Sequence, residues 1–174
     1  MVPLTFFDAV DAANIPAGAQ AMAGYVDGAY RSLGPMRVRL PEALWLSIAT
    51  SPSSDAMVLD VEQGDAGPTS AVQWVVGQLR QGVRRPCLYV GLSNVPGLLA
   101  ALAHSGIQRQ QVRLWTAHWT GIAHICGPEC GISESNRPGA TQYESLSRRG
   151  VDTNLTTLEW FDAVRHTYLN RGTP

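Results

Sequence analysis

The sequence predicts an α/β domain, and three features predict it. Short apolar runs recur along the whole chain, helical or loop stretches separate them, and the runs are apolar on both faces, as strands buried on both sides of a parallel sheet are. The runs cover residues 4–10, 21–26, 44–49, 56–61, 87–91, 112–117, 140–143 and 150–153. Eight runs, each near the usual ~5-residue strand length, favour a compact TIM-type (β/α) barrel over an open doubly wound sheet. A full barrel of this type takes ~250 residues. A chain of 174 residues therefore reaches closure only with several helices shortened or lost.

Three helices carry their own signals. Val72, Val75, Val76 and Leu79 fall at i, i+3, i+4 and i+7, with Pro68 near the start and Gly82 just past the end, the pattern of an amphipathic helix with start and stop residues. Residues 96–104, closed by Gly106, predict a second. A capping-box pattern, Thr156 with Glu159 three residues later, opens a third that ends near Tyr168. The connections after the first three strands are short and rich in Gly, Pro and Ser, and they predict loops rather than full helices. Residues 127–139 read as an irregular surface loop.

Composition bounds the rest. With 45% hydrophobic and 16% charged residues, residues 1–174 form one domain around one core. The 13 basic residues, all Arg, against 14 acidic ones leave a net charge of -1, so nothing draws the chain to nucleic acid or anionic lipid. No apolar run approaches the ~20 residues of a membrane span, and the first residues have neither a basic n-region nor a long apolar h-region. The reading is a soluble chain without a Sec-type signal, cytoplasmic at synthesis. Cys87, Cys126 and Cys130 are too few to build a disulfide scaffold.

Functional groups of a parallel α/β domain gather at the carboxyl ends of its strands. Here those ends carry carboxylates: Asp8 and Asp11, Asp27, Asp60 and Glu62, and Asp152 on the last run. Asp60 and Glu62 are two apart on one strand and so point to the same face. Two inward carboxylates give up burial, and the usual return is general acid and base work on a glycoside or ester. Solvated strand-end acids are the alternative. Tyr25, Tyr89, Trp115, Trp119 and Tyr143 occupy similar positions, and rings that stack on the apolar faces of sugars suit an acid-lined groove.

These residues resemble a family. Asp60-Val61-Glu62 and Val151-Asp152-Thr153-Asn154 are similar to the Asp-x-Glu and Val-Asp-x-Asn motifs of glycoside hydrolase family 25, the lysozyme-like muramidases of bacteria and phages. Between them, residues 88–93 resemble the Tyr-containing fifth strand, residues 114–119 the Leu-Trp-x-Ala-x-Tyr sixth strand, and Gln142-Tyr143 the Gln-Tyr of the seventh. The likeness runs over nearly the whole chain. Gly24-Tyr25-Val26 and residues 58–65 look most like the glycoside-hydrolase-like domains of actinobacteria and their phages, many of which have no assigned activity. Two departures stand out: the first strand reads Phe7-Asp8-Ala9-Val10-Asp11 in place of Asp-x-Ser, and Thr141 replaces a Trp before Gln142.

The resemblance implies a glycosidase acting on bacterial cell-wall peptidoglycan. Glu62 would be the general acid, kept protonated by repulsion from Asp60, Asp8 and Asp152. Asp60 would stabilise the oxocarbenium-like transition state or orient the acetamido group. Asp8 is taken as the first-strand acid over Asp11 because it sits directly on the apolar run. Tyr25, Tyr89, Trp115, His118, Trp119 and Gln142 would contact substrate. An i, i+2 pair sets its carboxyl groups ~5 to 8 Å apart, which straddles the retaining and inverting classes. The alternative is a non-catalytic glycan-binding or structural barrel, for instance on a phage virion beside other virion proteins.

His118, His124, Cys126 and Cys130 lie close in sequence, and two Cys with two His can hold zinc. Their His-x-Cys-x-x-x-Cys spacing departs from the standard zinc patterns, so the reading is ordinary loop residues or a Cys126–Cys130 disulfide, with no metal and no cofactor. A metal or redox protein built on this loop is the third function class. Cys87 reads as a small buried hydrophobe.

Overall fold

A computed structural model of the chain describes residues 1–146 and 150–172. Eight strands close into a barrel in which spatial order follows chain order. They are β1 (Pro3–Asp8), β2 (Ala21–Tyr25), β3 (Leu44–Ala49), β4 (Val58–Val61), β5 (Cys87–Gly91), β6 (Arg113–Ala117), β7 (Ala140–Leu146) and β8 (Val151–Thr157). Among the described residues four α-helices accompany them: α1 (Leu33–Arg39), α2 (Pro68–Arg80), α3 (Val95–His104) and α4 (Leu158–Leu169). This is a TIM-type α/β barrel with most of its helices shortened to turns.

The sheet is not parallel throughout. Strands β1 to β7 run parallel to their neighbours, whereas β8 is antiparallel to both β7 and β1. A parallel crossover needs a dozen or more residues, and only residues 147–150 separate β7 from β8. The reversal has a functional consequence: it brings the amino end of β8, and with it Asp152, to the rim where the other strands have their carboxyl ends. Asp152 lies directly opposite Asp8 in the β1–β8 ladder.

Helices α2 and α3 form where the periodicity predicts them. The third begins one residue later than the capping box suggests: Thr157 is its N-cap and accepts from the Trp160 amide, while Thr156 is still in β8 and donates its hydroxyl to the Gly139 carbonyl at 2.6 Å. Helix α1 forms where loops are predicted. Gly34 and Pro35 hide it in the sequence, but its buried Leu33 and Met36 fall on one face and lie against Gly24 of β2.

Strand alternation sorts the side chains into two layers. Leu4, Phe6, Ala23, Ile48, Val58, Tyr89 and Trp115 fill the barrel interior, while Leu59, Val61, Leu88, Val90 and Leu114 face outward under α2 and α3. At the amino end of the parallel strands Phe161 of α4 enters the interior and packs edge-on against Phe6, their ring centroids 5.3 Å apart. Moving toward the other end, the inward positions turn polar: Phe6 gives way to Asp8, Val58 to Asp60, and Ala140 to Gln142.

Candidate active site

Four strands meet at this polar end around the amide of Gln142, which is buried. Its Oε1 accepts from the Tyr89 hydroxyl at 2.9 Å and from Trp119 Nε1 at 2.6 Å. Its Nε2 donates to Asp8 Oδ1 at 3.2 Å and to Asp152 Oδ2 at 3.3 Å. One amide thus fixes two aromatic donors and two carboxylates, and each partner has the polarity that its end of the amide requires. Asn154 supports the same arrangement from β8. Its Nδ2 donates to Asp8 Oδ1 at 2.6 Å and its Oδ1 accepts from Trp115 Nε1 at 2.9 Å.

On the opposite wall, Asp60 is 3% exposed. The Tyr25 hydroxyl donates to its Oδ2 at 3.3 Å, and its buried Oδ1 has no hydrogen-bond partner. A buried carboxylate oxygen without a donor is costly, and such costs concentrate where a ligand supplies the missing group. Glu62 follows β4 by one residue and is half-buried, with the Tyr89 hydroxyl beside it.

The electrostatics follow from this geometry. Burial, then repulsion from Asp152, pushes Asp8 up to about 7 despite the Asn154 and Gln142 donors. Burial, then Glu62, Asp65 and Asp8, pushes Asp60 up to about 8. Glu62 is raised by burial first and then by Asp65 and Asp152, so desolvation leads, ahead of the like-charge repulsion expected from the sequence. Burial also raises Asp152. Among the described residues no salt bridge reaches any of the four. Burial and the same acids hold Tyr25 and Tyr89 well above the usual phenol range, which keeps both as hydroxyl donors.

Asp8, Asp60, Glu62 and Asp152 therefore converge, with Tyr25, Tyr89, Trp119 and Gln142 around them. Trp119 is 62% exposed although its Nε1 is anchored, so its ring is open for stacking. Trp115 is not available for that role: it is 1% exposed and sits inside the barrel beneath Asn154. Asp11 is exposed and caps a 3₁₀ turn through the Ala13 amide. Asp27 ties two loops together, accepting from Thr50 and Ser51. Tyr143 lies at a bulge in β7, where its carbonyl accepts from the Thr120 and Gly121 amides.

His118, expected at the groove, turns the other way. Alternation beyond β6 sends Trp119 inward to Gln142 and His118 outward, where its Nδ1 meets His124 Nε2 at 3.1 Å and Cys126 Sγ at 3.4 Å. Thr141 also serves this outer cluster: its hydroxyl accepts from the Cys126 amide at 2.9 Å. The position that departs from the family-25 pattern thus belongs to the outer face of β7. Sequence reasoning passed over Asn154 as a site residue, although its place two residues after Asp152 signals the same inward face.

No protein-family model matches the chain, and neither does any curated protein. Solved structures do match. An uncharacterized protein of B. stearothermophilus superposes with a TM-score of 0.67 at 15% identity, covering 92% of this chain and 99% of that one. A family GH25 lysozyme from Aspergillus fumigatus matches with a TM-score of 0.53 at 13% identity over 94% of this chain and 99% of its own. A muramidase from Acremonium alcalophilum gives 0.53 at 12% over 94% and 98%. The chain shares its fold with these lysozymes over essentially its whole length.

Proposed function

We propose that the protein is a glycoside hydrolase of the muramidase type that cleaves the glycan strands of bacterial peptidoglycan. The observation that carries this reading is the convergence of four carboxyl groups with raised affinities for protons at the open end of a closed barrel. Family-25-like fold neighbours support it.

Hydrolysis of a glycosidic bond needs a proton on the leaving oxygen and negative charge near the developing oxocarbenium ion. Burial and mutual repulsion prevent the four acids from ionising together near neutral pH, so a proton is held where an acid catalyst requires one. Glu62 and Asp152 are the half-buried members that a bulky glycan reaches, Asp60 and Asp8 being almost fully buried; Asp152 accepts from Gln142, and Glu62 is the general acid. Asp60 lies behind it on the same face of the strand, with the Tyr25 hydroxyl on its Oδ2, and would meet an acetamido N–H only where substrate binding opens a path to its buried Oδ1. Asp8 and Asp152, held by Gln142, set the field of the site. The exposed ring of Trp119 is the stacking surface.

The test compares the purified protein with Glu62→Gln on defined peptidoglycan, measuring new reducing ends and fragment masses. The wild type is expected to release muramic-acid-terminated fragments, and the variant to lose about 10²–10⁴ in rate with unchanged circular dichroism. Wall binding without release by either protein would replace the catalytic reading with a glycan-binding module.

A further inference from the structure

We propose that His118, His124, Cys126 and Cys130 form a structural zinc site that closes residues 118–130 of the β6–β7 loop on themselves, beside the outer face of β6 and β7. One ligand atom from each residue lies within 4.8 Å of all the others. The contacts are 3.1 Å between His118 Nδ1 and His124 Nε2, 3.4 Å from Cys126 Sγ to the former and 3.5 Å to the latter. A tetrahedral zinc with bonds of ~2.0–2.1 Å to nitrogen and ~2.3 Å to sulfur has donor–donor edges of about 3.3–3.8 Å. The three separations among His118, His124 and Cys126 are close to those edges, and Cys130 Sγ, within 4.8 Å of the others, needs a small rotation to complete the tetrahedron.

Hydrogen bonding alone accounts poorly for the triangle. An imidazole nitrogen has one proton or one lone pair in the ring plane and serves one partner well, yet each of these two nitrogens faces both the other ring and the sulfur. A single cation at the centre satisfies all of them. The surroundings prepare the ligands as well. His124 Nδ1 lies 2.7 Å from the Ile122 carbonyl, an acceptor only, so the ring proton resides there and Nε2 presents its lone pair to the cluster. Thr116 and Thr141 hydrogen-bond the Cys126 sulfur, as donors to a metal-bound thiolate do.

The loop gives an independent reason. Between β6 and β7, residues 118–139 contain only two 3₁₀ turns, Pro128–Cys130 and Glu134–Asn136. Loops beyond about 12–15 residues without their own elements are uncommon in compact domains. Within this one, the Gly127 carbonyl accepts from the Cys130 and Ile132 amides, and Gly131 at φ +80° turns the chain back after the second cysteine. That knuckle brings the two cysteines, both free, to one point. Four protein ligands fill a tetrahedron, which leaves no open position and marks the site as structural. Each half of the motif has an ordinary spacing, His-x₅-His and Cys-x₃-Cys. Only their order and their single-residue separation are unusual.

The test uses the full chain, stripped of metal by chelator under reducing conditions and titrated with zinc chloride alone. One zinc per chain is expected, with Tm raised by about 5–10 °C at a hundredfold excess over Kd. Cobalt chloride in place of zinc should give the intense visible bands of tetrahedral thiolate coordination, and these should disappear in Cys130→Ser and weaken in His124→Ala. Because the cobalt spectrum is read on the unmodified chain, a variant that fails to fold does not blunt the test. A weak octahedral spectrum, stoichiometry well below one, or a Tm indifferent to zinc overturns the proposal. So does reduced protein that takes up no metal while the oxidised protein forms a Cys126–Cys130 disulfide.

Discussion

At the scale of single residues, the acids set a dependence of stability on pH whose sign can be worked out. Asp60 is pushed up to about 8 in the folded protein from an unfolded value near 3.9. Between these values the folded state holds a proton that the unfolded state has lost. Stability is therefore greatest at the acid end of that window and falls as pH rises, by up to about 1.4 kcal/mol per pH unit for each such group. Asp8, pushed up to about 7, adds in the same direction below its own value. Urea unfolding of Asp60→Asn should show a shallower decline between pH 5 and 8 than the wild type; equal slopes would mean that Asp60 ionises normally. A second expectation concerns activity. Asp65 is the leading charge acting on Glu62 after burial and is itself exposed, so Asp65→Asn should move the alkaline limb of kcat/KM to lower pH. A limb that stays in place would separate the titrating acid from Glu62.

At the scale of elements, the residues that decide packing are small ones. Helix α1 lies so close to β2 that a Cβ on Gly24 would sit 2.7 Å from Met36 Sδ and 2.8 Å from Leu33 Cα. An alanine there gains up to about 1 kcal/mol from reduced unfolded-state freedom. A clash against backbone outweighs that gain, and overpacking of this kind costs about 1–3 kcal/mol. Gly24→Ala should thus be destabilised in chemical denaturation, and an unchanged midpoint would show that α1 can shift freely. The same elements show what the sequence made legible. All eight strands lie where the apolar runs place them, because burial on both faces leaves a mark in composition. Two things are less legible. Period-2 alternation is the same in either direction, so residues 150–153 themselves do not distinguish an antiparallel β8 from a parallel one; the signal lies in the six residues between the runs 140–143 and 150–153, too few for a parallel crossover. Helix α1 buries two residues behind a Gly-Pro pair that reads as a turn. The acids were legible as types at strand ends, but the orientation of His118 away from the groove depended on continuing the β6 alternation one residue past the strand.

At the scale of the whole molecule, the barrel divides its labour along its axis. A chain of edge-on rings runs up the interior from Phe161 to Phe6 at 5.3 Å, from Phe6 to Trp115 at 5.0 Å, and from Trp115 to Tyr89 at 4.8 Å. Its lower end is apolar and closed by α4, and its upper end is the Tyr89 hydroxyl that holds Gln142. Stability should then reside at the closed end and chemistry at the open one. Phe161 is fully buried and packs on Phe6 at the end of the barrel away from the acids, so Phe161→Ala leaves a cavity without touching the site. Such a truncation costs about 3–5 kcal/mol, which for a domain of this size lowers Tm by roughly 6–20 °C. Glycan cleavage measured well below that lowered Tm should remain near the wild-type rate, since Trp115 and Asn154 still fix the upper layer. Loss of cleavage in a variant that is still folded would instead mean that the ring column sets the position of Tyr89, and that the closed end governs the active one.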